Sequence, residues 1–392
     1  MLVSCASLPN PVLVYGSDSV PPILAKIGPR LAGDDASAIT VVYAEDRSCP
    51  AVKAAIGGLA GSFNGAEIGC YYDGEPVSGE GECEEIGARP CALDGTMAAD
   101  IGVSDVFPQT CGETVGGSVE HRKGPVQAAI FVTTARSSVQ AISQKAAEAV
   151  YSPDSAEVAP PWDDEAYALQ RIPGSGTQRL MATALGVDPD QLMRGKSLSS
   201  SSTLIGTIEG WNESLKGAEV DKVLGIYDVS NADRRTKDGK VGFRALAFKA
   251  EGADCGFLPD ASGYDKAHVR DGQYPIWSPL HFVARKDSPR SKEIKRVLDL
   301  VLMDPVAAVV GVSRAEVFAT WVSRSFVPEC AMAVQRDSEM GALTPTTPTC
   351  TCAFEAVLKV ASAPGCKPCD ESSSACDEGY HCDYRFGSCE PN

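Results

Sequence analysis

Seven residues, Arg171-Ile172-Pro173-Gly174-Ser175-Gly176-Thr177, carry the chemistry of oxyanion capture. Gln178 to Leu185 follows as a run of mostly good helix formers, and Gly186 stands where that helix would stop. A Gly-Ser-Gly-Thr turn opening a helix presents backbone N–H groups and two hydroxyls to one small concavity. The positive end of the helix dipole points into it. Arg171 can add a bidentate clamp on a tetrahedral anion. An ordinary helix cap would use the same residue types, so the anion reading gains weight only from repetition elsewhere.

Three more segments repeat the design. Pro11 to Tyr15 reads as a short buried strand, followed by Gly16-Ser17-Asp18-Ser19-Val20 and a helix opened by Pro21-Pro22 and closed by Gly28. Ala38 to Tyr43 is a β-branched strand that runs through Ala44-Glu45-Asp46-Arg47 to Ser48-Cys49-Pro50 and a helix over Ala51 to Ile56. Asp100 to Pro108 is a short strand ending in the Ser104-Asp105 turn. Strand, hydroxyl-bearing turn, helix is the α/β arrangement whose ligands sit beyond the carboxyl ends of parallel strands.

The order of these turns resembles the phosphate-binding proteins of ABC transporters, within the two-lobed periplasmic binding-protein fold of type II. Tyr43 to Ser48 matches that family's Tyr-x4-Ser loop, Gly102 to Asp105 its Gly-x-Ser-Asp loop, and Arg171 to Thr177 its Arg-x3-Ser-Gly-Thr loop. Leu224 to Ser230 resembles its Ile-Gly-Tyr strand, and Asp271 to Leu280 its Asp-Gly-x-Tyr-Pro segment. The resemblance implies an α/β fold of two lobes with hinge strands crossing between them. It implies a ligand set of Ser19, Val20, Ser48, Asp105, Arg171, Ser175, Gly176 and Thr177, holding an oxyanion, most readily inorganic phosphate, in an inter-lobe cleft for ABC-type uptake or sensing. An ABC permease would be the partner, with the protein a monomer. Pro173 departs from the family's Asp and removes an N–H donor, and Glu45-Asp46 replaces a glycine-rich loop. These departures favour the alternative, a surface interaction or adhesion protein that keeps the fold without a ligand.

Asp105 has a reading of its own. A carboxylate only accepts hydrogen bonds, so it suits an anion that carries a proton and repels one that does not. That favours phosphate over sulfate.

Composition bounds the rest. A chain of 392 residues, 44% hydrophobic, is long enough for two sizeable lobes. A net charge of −17 argues against nucleic acid and anionic membrane surfaces as partners. Fifteen Cys beside four His is the composition of an oxidising compartment, periplasmic or cell-surface, rather than of a zinc or thiol enzyme. Leu2-Val3-Ser4-Cys5 matches a bacterial lipobox, so Cys5 is expected to carry a lipid anchor and leave the other cysteines to pair. No apolar run is long enough to span a membrane.

The lobes are expected at 6–132 (lobe 1, with a Cys-bearing insertion over 62–96 for which Cys49 and Cys111 offer partners), 133–235 (lobe 2) and 236–343 (lobe 1 again). A disulfide-rich module over 344–392 would close the chain, with Cys366-x2-Cys369 read as part of a disulfide knot rather than a zinc site. No enzyme, cofactor or metal is expected. Arg194-Gly195-Lys196-Ser197 lacks the leading Gly of a P-loop, and neither Gly-x-Ser-x-Gly nor His-Glu-x-x-His occurs.

Overall fold

The computed structural model describes residues 2–34, 37–57, 68–74, 77, 79, 81–93, 97–155, 158–191, 193–303, 311–360, 363–370 and 376–392. The chain forms two compact α/β units. Unit 1 comprises 1–125, 279–323 and 364–392, and unit 2 comprises 126–278 and 324–363.

Strand β1 (Pro11–Gly16) leads to helix α1 (Pro21–Ala32), and β2 (Thr40–Glu45) to α2 (Ser48–Gly57). Then come β3 (Ile68–Tyr72), the short α3 (Glu82–Glu85), β4 (Arg89–Ala92) and β5 (Ile101–Ser104). The long β6 (Val119–Thr134) crosses the unit boundary. Unit 2 continues with β7 (Ala141–Ser143), α4 (Gln144–Tyr151), β8 (Ala168–Arg171), α5 (Gly176–Ala184) and β9 (Lys196–Leu198). After these follow α6 (Ser201–Ser214), β10 (Leu224–Asp228), α7 (Val229–Lys237), β11 (Phe243–Lys249) and α8 (Ala267–Arg270). Strand β12 (Trp277–Arg285) re-enters unit 1, which adds α9 (Ser291–Val301) and α10 (Arg314–Ser323). The pair β13 (Val334–Gln335) and β14 (Thr344–Pro345) and helix α11 (Thr351–Leu358) belong to unit 2, and the hairpin β15 (Tyr380–Asp383) and β16 (Ser388–Pro391) to unit 1.

In unit 1 the strand order is β4-β3-β2-β1-β5-β12. Strand β1 pairs in parallel with β2 and with β5, while β3, β4 and β12 run antiparallel to their neighbours. Every residue of β1 is buried, as expected of a central parallel strand covered on both faces. Helix α1 covers one face through Ile23, Leu24, Ile27 and Leu31, at the spacing of one helical stripe. In unit 2, β10 pairs in parallel with β8 and antiparallel with β6, and β9 extends β8 in parallel. Helix α9 is amphipathic, with Ile294, Val297, Leu298 and Val301 buried.

Several expectations change. The return to lobe 1 is expected at 236, but β11 stays in unit 2, where Phe243 to Leu246 pair with Thr134 to Phe131 of β6. Unit 1 is rejoined only at 279. The segment 344–392 is not one module. Cys330–Cys350 ties its start to unit 2, while Phe386 packs on Phe318 in unit 1 with ring centroids 4.5 Å apart. The insertion over 62–96 is partly outside the described residues (62–67, 75–76, 78, 80 and 94–96). Its described part holds β3, α3 and β4: the β3–β4 pair adds two strands to the sheet edge, and Cys70–Cys83 ties β3 to α3. Cys49 and Cys111 do not reach it; they pair with each other.

Cys5 is bonded to Cys91, so its sulfur is spent and the expected lipid anchor has no thiol to occupy. Fourteen cysteines are disulfide-bonded, and the odd one is the exposed Cys255. Cys369–Cys382 and Cys376–Cys389 knit the last hairpin, and the sulfurs of Cys369, Cys376 and Cys389 that lie together there are held in these disulfides. Among the described residues no helix is long and apolar enough to cross a membrane.

Alkylation of the native protein followed by peptide mapping is expected to label Cys255 and to recover Cys5 joined to Cys91. Replacing Cys49 and Cys111 together by Ser is expected to cost about 4 kcal/mol in urea unfolding, by the loop-closure relation for a separation of 62 residues.

Candidate functional site

Parallel pairing of β1 with β2 and β5 sets Gly16 opposite both Glu45 and Val103, so three strand ends lie side by side. The residues that follow them form a cluster. Gly16 has φ +129°, and a Cβ there would sit 2.3 Å from the Val103 carbonyl oxygen, so only glycine lets the first loop turn away this close to β5. The Tyr43 hydroxyl, at the end of β2, holds that loop by donating to the carbonyls of Gly16 (3.2 Å) and Ser17 (3.1 Å).

Asp105 is the centre of the cluster. Its Oδ1 accepts from Ser17 Oγ at 2.6 Å and Ser19 Oγ at 3.3 Å, and its Oδ2 accepts from Ser48 Oγ at 3.1 Å. Its own N–H donates to Ser48 Oγ at 3.1 Å, and Ser17 Oγ lies 2.9 Å from Ser19 Oγ. The three hydroxyls are at least nine-tenths buried, while the carboxylate is half-buried. Hydroxyls rotate, so the serines that now donate to Asp105 can instead donate to an oxyanion while Asp105 accepts a hydrogen bond from a protonated oxygen of that anion. The Cys49–Cys111 disulfide joins the first turn of α2 to the segment just beyond Asp105 and fixes the Ser48–Asp105 approach.

The expected site residues of this unit therefore meet, with one change of role. Val20 is fully buried and precedes two prolines. Pro21 and Pro22 have no N–H, the Ile23 N–H donates to the Val20 carbonyl, and the Ser19 N–H donates to Ser17 Oγ. This end of α1 thus offers an anion few amides, and Val20 can contribute only through its main chain. The acidic pair that replaces a glycine-rich loop has other surroundings than a ligand. Glu45 is exposed, and Asp46 bonds the Tyr15 hydroxyl and the N–H and Nε of Arg47. Ser17, which joins the cluster, and Tyr43, which positions the first loop, are not among the residues expected from the sequence. The Gly-Ser-Asp-Ser spacing was the available signal.

Unit 2 carries the other nominated residues. Strand β8 ends at Arg171 and turns through Ile172 to Ser175, where the Ser175 N–H donates to the Ile172 carbonyl at 3.2 Å. Pro173 presets the second position of that turn, and Gly174 takes φ +86° at the third, as a type II turn requires. The proline in place of an acidic residue thus has a backbone job. Helix α5 opens directly after Ser175, whose side chain makes no cap, so the first-turn amides of Gly176 and Thr177 have no acceptor within the helix. Gln178 is buried with no partner for its Oε1, a polar side chain of the same turn that sequence reading passed over. Arg171 is held sideways: one Nη donates to Ser201 Oγ at 2.5 Å and the other to the Ser199 carbonyl at 2.9 Å, at the start of α6. These bonds use two of the five guanidinium N–H donors, and Nε has no partner among the described residues, so N–H groups remain for a ligand.

No protein-family model matches the chain, and no curated protein matches it. Among solved structures the chain is similar to an ABC-type phosphate transport receptor from Vibrio cholerae (11% identity, TM-score 0.47, covering 81% of this chain and 99% of that one). It is similar to PstS from Borrelia burgdorferi (14% identity, TM-score 0.42, 81% and 98%). It is also similar to the reduced OxyR regulatory domain from Pseudomonas aeruginosa (12% identity, TM-score 0.38, 75% and 97%). These are likenesses of fold.

Asp105→Ala deprives three buried hydroxyls of their shared acceptor and is expected to lower stability by about 1–3 kcal/mol in urea unfolding. Gly174→Ala forces a Cβ into a left-handed backbone and is expected to cost about 1–2 kcal/mol by the same measurement.

Proposed function

We propose that the chain is an extracytoplasmic solute-binding protein whose ligand is a protonated oxyanion, inorganic phosphate first. The observation that carries this reading is the carboxylate of Asp105 ringed by three hydroxyls at the carboxyl ends of parallel strands. Ring hydroxyls are donors for a multiply charged anion, and one carboxylate among them is the acceptor that a P–OH group needs. Sulfate has no proton to offer at neutral pH, so Asp105 would face its bare lone pairs. The uncapped start of α5, with Ser175, Gly176, Thr177 and the Arg171 guanidinium, supplies donors for the same class of ligand. The order of these loops along the chain, described above, supports the same assignment.

No bond is made or broken in this function. Fourteen disulfide-bonded cysteines support export to an oxidising compartment. There the liganded protein would serve uptake or sensing, as a monomer, through an ABC-type permease.

Calorimetric titration of oxidised, ligand-free protein with phosphate and with sulfate tests the reading. Phosphate is expected to bind at micromolar concentration or below, and sulfate not at all. Loss of a charge-assisted hydrogen bond is worth about 1.5–3 kcal/mol, so Asp105→Asn is expected to weaken phosphate about 10- to 100-fold. Arg171→Ala is expected to weaken it similarly. No heat from either anion with folded wild-type protein would remove the oxyanion reading and leave an interaction protein in its place.

A further inference from the structure

Unit 1 also holds a pair of histidines that anion capture does not use. His281, on β12, is fully buried, lies opposite Ser104 of β5 in the antiparallel register, and packs its ring 4.2 Å from that of Phe107. His121, on β6 and half-buried, brings its Nε2 to 2.7 Å from His281 Nδ1. The remaining nitrogen of His281, Nε2, is buried with no hydrogen-bond partner.

The surroundings bear on charge. Lys123, two residues along β6, faces the rings and sets its Nζ 5.5 Å from the Phe107 centroid. Glu120 and Arg122 point to the other side of β6, where Arg122 pairs with Asp299 of α9 at 2.7 Å. From β5 the facing residue is Ser104, whose Oγ accepts from the Val106 N–H (3.2 Å) and donates to the Val106 carbonyl (2.7 Å). That closed turn carries Asp105, whose carboxylate is occupied by the serines.

We propose that His121 and His281 are the positioning pair of the Asp105 turn, and that uptake of one proton by the pair releases the turn. For its effect on ligand, this rests on the oxyanion reading above.

The proton count explains why. A buried lone pair without a partner costs less than a buried N–H without one. His281 therefore keeps its hydrogen on Nδ1 and donates it to His121 Nε2, and His121 keeps its own hydrogen on Nδ1. A proton from solvent can enter His121 only at Nε2. Two N–H groups would then meet head-on, unless His281 moves its hydrogen to Nε2, where nothing accepts it. Either way the 2.7 Å bond or a buried donor is lost, beside Phe107 and the turn.

Burial and the Lys123 ammonium hold His121 below the ordinary imidazole range. Burial, His121 and Lys123 do the same for His281. A histidine depressed in the folded state leaves the unfolded chain as the better proton binder. The pair's stabilisation is therefore complete above the unfolded value of about 6.5 and is lost as pH falls through it.

Hydrogen exchange of the Asp105 and Val106 amides in the ligand-free protein, between about pH 7.5 and pH 5, tests the proposal, with β2 amides as the reference for global unfolding. In the wild type, protection corrected for intrinsic exchange is expected to fall by up to about tenfold per pH unit below about 6.5, ahead of β2. In His121→Gln, which cannot titrate, it is expected to stay flat. A flat wild type, or an unchanged fall in His121→Gln, overturns the proposal. In a second arm, phosphate affinity should drop with acid more in the wild type than in His121→Gln; an equal drop overturns the link to ligand. If phosphate binds at no pH, the oxyanion reading fails, and the exchange data still decide the role of the pair.

Discussion

The parallel register of β1 with β2 and β5 is the constraint on which the candidate site depends. Once Gly16 is level with Glu45 and Val103, the next residues of all three strands must emerge at one edge. Ser17, Ser48 and Asp105 then fall within hydrogen-bond reach although 57 and 88 residues of sequence separate Asp105 from the two serines. A slip of one residue along any strand would exchange its faces and scatter the cluster. Gly16 resists such a slip in β1, because a Cβ brought to its place would sit 2.3 Å from the Val103 carbonyl oxygen.

Two kinds of device hold the loops once the register has set them. The first is covalent: Cys49–Cys111 fastens the residue after Ser48 to the segment after Asp105. The second is polar and internal. The Tyr43 hydroxyl bonds two carbonyls of the first loop, and the Ser104 hydroxyl closes the turn that presents Asp105. The carboxylate is thus surrounded by donors that already have defined positions, so a ligand need not pay to order them. The strong negative charge of the whole chain is compatible with this, since local hydroxyls and amides act within a few ångströms while distant surface charges are screened by salt.

The nominated residues of unit 2 are arranged differently. There the donors are main-chain amides at an uncapped helix start, reached through a Pro173-Gly174 turn, with a guanidinium held by a neighbouring helix start. Pro173 is unexpected for an anion loop on local chemistry. It fits once the turn is seen, because it sits where φ near −65° is needed and no N–H is used.

Strands, turns and the helices after them were legible in the sequence because each is a local matter of periodicity, proline and glycine. Pro11–Gly16, Thr40–Glu45 and Gly176–Ala184 fall close to where their residues put them. The motif order named Ser19, Ser48 and Asp105, and composition announced a disulfide-bonded protein. Partners across the chain were not legible. Cys5 resembles a lipid attachment site and is bonded to Cys91; Phe243–Lys249 falls in the stretch expected to rejoin lobe 1 and belongs to unit 2; and two of four scattered histidines, one buried and one half-buried, meet. These are decided by which strand lies beside which. That depends on burial summed over the whole core, and no window of sequence contains the sum.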